Sequence, residues 1–179
     1  MKDYTKSGEI KGSLIIEGNL ILDGDLTVEK KIEVSGYIDC KGYSIKAGGW
    51  IKAGYSIEVG GSIEAGDWIE AVDSIKAGGS IKAVDSIEAR YSIEAGGSIL
   101  SQLWIKCKTT LSAGLYIYAG IITWREREDE DMLIECGKLE KGKIEFGTLV
   151  EKGLEDDDVQ KAIKLLEEKG KLKDGKILI

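Results

Sequence analysis

Isoleucine occupies every sixth position from Ile45 to Ile105 without interruption, and Leu111 and Ile117 carry the series on. Upstream, Leu14, Leu20, Leu26, Ile32 and Ile38 keep the same spacing, offset from the main run by one additional residue before Ile45. Two positions after each of these eighteen anchors stands a second apolar or small residue: Ile16, Leu22, Val28, Val34 and Cys40 early, then mostly alanine from Ala47 to Ala95, and later Ser101, Cys107, Ala113 and Ala119. Alternate residues of a strand share a face, so anchor and small residue point inward while the residue between them points out. That outward residue is usually charged, as in Lys46, Lys52, Glu58, Glu64, Glu70, Lys76, Lys82, Glu88, Glu94 and Lys106. No helix fits a period of six broken by Gly-Gly-Ser, whereas three-residue strands joined by three-residue corners do.

Equivalent corners should recur once per coil. GGW, GDW, VDS and QLW begin at Gly48, Gly66, Val84 and Gln102, and GGS recurs at Gly60, Gly78 and Gly96, so both sets step by eighteen. The outward charges alternate in sign at that step, but almost as well at twelve; Trp50 and Trp68, eighteen apart, favour three strands per coil. The fold class expected is all-β: a triangular parallel β-helix of about six 18-residue coils, roughly 29 Å long at ~4.8 Å per strand. The periodic unit spans 1–124. Each sextet buries little beyond one isoleucine and one alanine, so the ladders between coils must contribute much of the stability.

After Trp124 the period stops at a charged stretch, Arg125 to Asp131, and residues 125–179 are expected to form a small C-terminal α/β segment. Met132 to Cys136 and Lys143 to Val150 have strand character. Val159, Ala162, Ile163, Leu165 and Leu166 have helical spacing behind Asp156 to Asp158, with Gly170 as the stop. Asp174-Gly175 suits a turn before the final Lys176 to Ile179. Such a segment either caps the column, docking on surplus apolar residues such as Leu100, Leu103, Leu115 and Ile121, or joins two copies into a homodimer.

Composition narrows the chemistry. With 25 basic and 32 acidic residues the net charge is -7, which argues against direct nucleic-acid binding. No apolar run nears the ~18 residues of a membrane span and the first residues lack a signal-peptide core, so a cytoplasmic protein without membrane contact is expected. The chain has 24 glycines and no proline, which suggests corners made by residues at positive φ. It has no histidine, hence neither the commonest general base nor the common neutral metal ligand. Cys40 and Cys107 take the inward slot that alanine fills elsewhere, and Cys136 has no base to activate it. Asp67 and Asp85 fall on equivalent corners, but two carboxylates are too few for a cation site, and aspartates often brace their own turns. No catalytic residue, metal or cofactor is expected.

The best candidates for a contact site are aromatic. Trp50, Trp68 and Trp104 share one corner, with Ser86 in the remaining place, and Tyr55 and Tyr91 share another. Stacked aromatics at an exposed edge serve as partner anchors, or are covered by a docked tail.

The repeat resembles the hexapeptide β-helix of acyltransferases and trimeric carbonic anhydrases, but there the small inward residue precedes the aliphatic one, whereas in Ile63-Glu64-Ala65 it follows, which argues against the left-handed form. Those enzymes work through histidines, which this chain lacks. The stretch Leu14 to Gly24, LIIEGNLILDG, resembles bactofilins, and that resemblance implies a right-handed polymer-forming scaffold. The SIKAGG and SIEAGG array followed by ECGKLEKGKIEFGTL is similar to uncharacterised solenoid proteins of Gram-positive bacteria and their phages. Such a resemblance specifies a fold far better than a function. Two functions follow as expectations. One is a non-enzymatic, phage-type binding protein that occupies and inhibits a host protein such as a nucleic-acid-handling defence enzyme; the other is a self-assembling scaffold.

Overall fold

A computed structural model describes residues 1–122, 124–153, 172–173 and 176–177. The sextets wind into a three-walled parallel β-solenoid. The first wall stacks Leu14–Ile16, Ile32–Val34, Ile51–Ala53, Ile69–Ala71, Ile87–Ala89, Ile105–Cys107, Leu133–Cys136 and Thr148–Glu151 as one eight-stranded sheet. The second and third walls form a single twelve-stranded sheet, because Asn19–Val28 and Thr110–Tyr118 run unbroken through the corner between them. Isoleucine stacks on isoleucine at a step of eighteen, as in Ile51, Ile69, Ile87 and Ile105, and beside it Ala53, Ala71 and Ala89 stack on one another and then on Cys107. Across the additional residue the step is nineteen, pairing Ile38 with Ile57 and Leu26 with Ile45. Lys41, Gly42, Tyr43 and Ser44 absorb the extra residue as a four-residue corner, with Gly42 at φ 101°.

The column has about eight coils, two more than the sextet count. Asp3–Ile10 adds a coil before the first anchor, lying parallel to Asn19–Val28. Beyond Trp124 the chain returns to the stack, where Leu133–Cys136 pairs with Ile105–Cys107, Lys138–Phe146 with Thr110–Tyr118, and Thr148–Glu151 with Leu133–Cys136. The added coils escape a search for sextets because their registers shift, for example between Lys6 and Gly8 and between Ser112 and Tyr116. Leu172–Lys173 and Lys176–Ile177 form an antiparallel pair around the expected turn. The helix expected over Val159 to Leu166, with its flanking Asp156 to Asp158 and Gly170, lies outside the described residues.

Outward charges follow the eighteen-residue step. Lys46 meets Glu64 at 3.3 Å, Lys82 meets the same Glu64 at 3.7 Å, Lys52 meets Glu70 at 3.0 Å and Lys76 meets Glu94 at 3.8 Å. Exposed pairs of this kind contribute about 0–1 kcal/mol each, so their effect is on register more than on stability.

The corner glycines correct the expectation of positive φ. Among the described residues, Gly8, Gly12, Gly18, Gly42, Gly120, Gly142, Gly147 and Gly153 have it, but Gly60, Gly78 and Gly96 do not. Crowding explains those three. A Cβ on Gly78 would lie 2.1 Å from the carbonyl oxygen of Gly60, and one on Gly96 equally close to that of Gly78. Beside them a serine ladder climbs the corner: Ser62 N–H donates to Ser44 Oγ, Ser80 N–H to Ser62 Oγ and Ser98 N–H to Ser80 Oγ, each at 3.1 Å. Asp25 Oδ1 accepts from Ser44 N–H at the foot of the ladder.

Before Met132 the corner swells into an excursion with a clamp between Arg125 and Asp131. Asp131 is only 4% exposed and takes a bidentate hydrogen bond from Arg125 (2.7 and 2.8 Å) and another from Glu128 N–H (2.8 Å). The Arg125 guanidinium, and after it the Glu128 amide, hold the Asp131 carboxyl below its ordinary range. A carboxyl depressed in the fold stabilises it above the unfolded value near pH ~4, and the contribution disappears as the pH falls through the depressed value. Asp131→Asn should therefore open the excursion at neutral pH, and trypsin should cleave after Arg125 several-fold faster than in the wild type. An unchanged cleavage rate would show that the clamp does not hold the segment.

Candidate functional site: the tryptophan edge of the first wall

The corner that leads into the first wall ends, coil after coil, in Ser13, Lys31, Trp50, Trp68, Ser86 and Trp104. The backbone fixes this row, since the amide of each anchor donates to the carbonyl of the corner residue one coil on: Ile32 to Trp50 (2.9 Å), Ile51 to Trp68 (3.0 Å), Ile69 to Ser86 (2.9 Å) and Ile87 to Trp104 (3.1 Å). Trp50 and Trp68 consequently stack, with ring centres 5.5 Å apart and planes 9° from parallel. Lysines line the same row: Lys31 Nζ is 4.7 Å from the centre of Trp50, Lys52 5.8 Å from Trp68 and Lys106 5.3 Å from Trp104. Each such contact is worth about 0.5–1 kcal/mol at an exposed site and holds the indoles in place. All three tryptophans are half-buried.

Tyr55 and Tyr91 stand on the opposite edge of the same wall, two coils apart, with Asp73 between them. Tyr55 is 49% exposed, and Arg90 lies 5.4 Å from the centre of Tyr91. The five aromatic residues expected to meet a partner are thus not one cluster. They flank a wall about 10 Å wide, three strand residues across. Between them run Lys52, Glu70, Glu88 and Lys106, and Glu70 stacks on Glu88 as a like-charged neighbour. A shallow cavity of about 370 Å³ beside Tyr55 is lined by Tyr37, Asp39, Glu58 and Asp73.

Asp67 and Asp85 precede Trp68 and Ser86 and lie on adjacent coils, joined by Asp85 N–H donating to the Asp67 carbonyl (2.9 Å). Burial, and then the neighbouring Asp67, push the Asp85 carboxyl up from its usual range. Neither aspartate, nor Glu88, is in an ion pair among the described residues. No group of three or more potential metal-ligating side chains occurs among the described residues.

Two groupings were not visible in the sequence. Cys107 and Cys136 occupy neighbouring rungs of the first wall, both buried and both free. Burial pushes their thiols up to about 12 and about 11, so at neutral pH they are protonated and unreactive. On the third wall Leu100, Tyr118 and Phe146 stack into an apolar stripe, with Arg127 5.0 Å from the centre of Phe146. Leu100 and Tyr118 follow the sextet, but Phe146 enters through a shifted register.

Comparison with protein families, with curated proteins and with solved structures finds no match to this chain. No helix among the described residues is long and apolar enough to cross a membrane.

Proposed function

We propose that this chain is a non-enzymatic binding protein of phage or mobile-element type, which uses the aromatic-edged first wall of its solenoid to occupy and inhibit a host protein. The observation that carries the reading is the stacked, half-exposed Trp50–Trp68 pair on a rigid backbone. Its side chains are ordered before contact, so binding loses little further conformational entropy, and tryptophan and tyrosine at such edges supply most of the energy of many interfaces. A net charge of -7 favours a basic partner surface, such as that of a nucleic-acid-handling defence enzyme. The mobile-element origin rests on the resemblance of the SIKAGG array alone.

Tagged protein mixed with host lysate should retain a partner in stoichiometric amount, and the double variant Trp50→Ala/Trp68→Ala should lose it while keeping its β-sheet circular dichroism. Failure to retain any stoichiometric partner, or undiminished capture by the variant, would overturn the reading.

A bactofilin-like scaffold is the second reading. It is favoured by Ile15, 62% exposed at the first coil, and by Asp3–Ile10, whose outer edge pairs with no strand among the described residues. Light scattering separates the two, since a mass that stays fixed across concentrations excludes polymer growth.

A further inference from the structure

The row Trp50, Trp68, Ser86, Trp104 is a ladder of flat side chains with one rung missing. Trp68 and Trp104 are two coils apart, roughly 10 Å at ~4.8 Å per strand. That is close to twice the 5.5 Å between the stacked rings of Trp50 and Trp68. Ser86 reaches only to its hydroxyl, so the register leaves room for one planar group between the Trp68 and Trp104 rungs. The rung that carries it is acidic on both sides: Asp85 precedes Ser86, Glu88 is the next outward residue, and Asp67 lies one coil back. None of these three carboxylates has an ion-pair partner among the described residues, although Glu64, Glu70 and Glu94 on the same and neighbouring walls are each paired with a lysine.

We propose that the Ser86 gap is a subsite for an arginine side chain of the bound partner, its guanidinium stacked between Trp68 and Trp104 and hydrogen-bonded to Asp85 and Glu88. This rests on the reading of the tryptophan edge as the partner contact and names the chemistry it selects. A flat group suits a place between two indole rungs, and a cation suits three unneutralised carboxylates. Guanidinium is both, and its five N–H donors in one plane suit flanking carboxylates, whereas the compact ammonium of lysine offers no plane to stack. Arginine also gains more than lysine from an indole face. The raised pKa of Asp85 accords with this, since burial beside Asp67 leaves its charge short of compensation that a guanidinium supplies. Lys106, 5.3 Å from the Trp104 ring, is a cation that competes for the same indole.

The full chain, titrated with the peptides acetyl-Gly-Arg-Gly-amide and acetyl-Gly-Lys-Gly-amide and with tyrosinamide, is followed through its four indole N–H resonances, with Trp124 outside the ladder as internal reference. The arginine peptide should shift the Trp68 and Trp104 signals saturably and at several-fold lower concentration than the other two probes. Ser86→Trp should abolish the effect, because it closes the ladder with the residue its neighbours already carry. Asp85→Asn should weaken it several-fold and Lys106→Ala strengthen it. Shifts no larger than that of Trp124, equal response to lysine or tyrosinamide, or an unaltered response in Ser86→Trp would each overturn the subsite. If arginine fails while Trp50→Ala/Trp68→Ala still abolishes partner capture, the subsite is wrong and the edge reading stands. If arginine binds while that variant still captures its partner, the edge reading fails instead.

Discussion

Ile81→Ala is expected to lower the free energy of unfolding by about 3–4 kcal/mol, toward the upper part of the range for burying an alanine where a large aliphatic side chain stood. Ile81 has no exposed surface and lies directly between Ile63 and Ile99 on the third wall. In a compact globular core the neighbours of a truncated side chain move in and recover part of the loss. Here they cannot, because the spacing between Ile63 and Ile99 is set by backbone bonds such as Ile63 to Ser80 (3.0 Å) and Ile81 to Ser98 (3.0 Å). The cavity stays open and weakens contacts to two coils together. Leu14→Ala, at a site on the first-wall strand that has a partner on one side alone, should lose visibly less. Urea denaturation followed by circular dichroism checks both. A loss at Ile81 below about 1 kcal/mol would mean that the column tightens around the gap, contrary to a spacing set by backbone bonds.

The same rigidity explains how far the sequence could be read. A solenoid whose coils repeat in register turns periodicity into position, so the anchors Ile45 to Ile105, the inward alanines and the eighteen-residue step are all found where spacing places them. The row of Trp50, Trp68, Ser86 and Trp104 is found for the same reason. What the spacing does not carry is any coil in which the register shifts. Asp3–Ile10 and Lys138–Phe146 stack as well as the others, but they reach their places through irregular steps, and their inward residues no longer fall every sixth position. The neighbourhood of Cys107 and Cys136 follows from that same return of the chain after the Arg125–Asp131 clamp, 29 residues along the sequence from one thiol to the other. Likewise, glycine in a corner has two physical causes, freedom of φ and absence of a Cβ, and composition alone does not separate them.

Gly78 and Gly42 separate those causes by experiment. Gly78→Ala is expected to cost about 2–3 kcal/mol, because the new Cβ would meet backbone, the Gly60 carbonyl oxygen at 2.1 Å, and not a side chain able to turn away. The column shows how it must respond. At first-corner glycines the amide that bonds to the coil before is short: 2.9 Å at Gly48, 3.0 Å at Gly66, 2.8 Å at Gly78 and 2.9 Å at Gly96. Where a side chain occupies that place in the middle of the column the bond is longer, 3.3 Å at Val72, 3.2 Å at Val84 and 3.4 Å at Arg90. A Cβ is therefore accommodated by spreading two coils at that corner, and at Gly78 the spreading also strains the bonds from Ser80 to Ser62 and from Ser98 to Ser80. Gly42→Ala meets no atom within 4 Å and costs only its backbone conformation at φ 101°, about 1–2 kcal/mol. Asparagine distinguishes the two mechanisms, since it tolerates positive φ better than alanine but is larger. Gly42→Asn should be milder than Gly42→Ala, and Gly78→Asn more damaging than Gly78→Ala. The same ordering at both sites would show that a single cause governs the corner glycines, and the crowding argument would then fail.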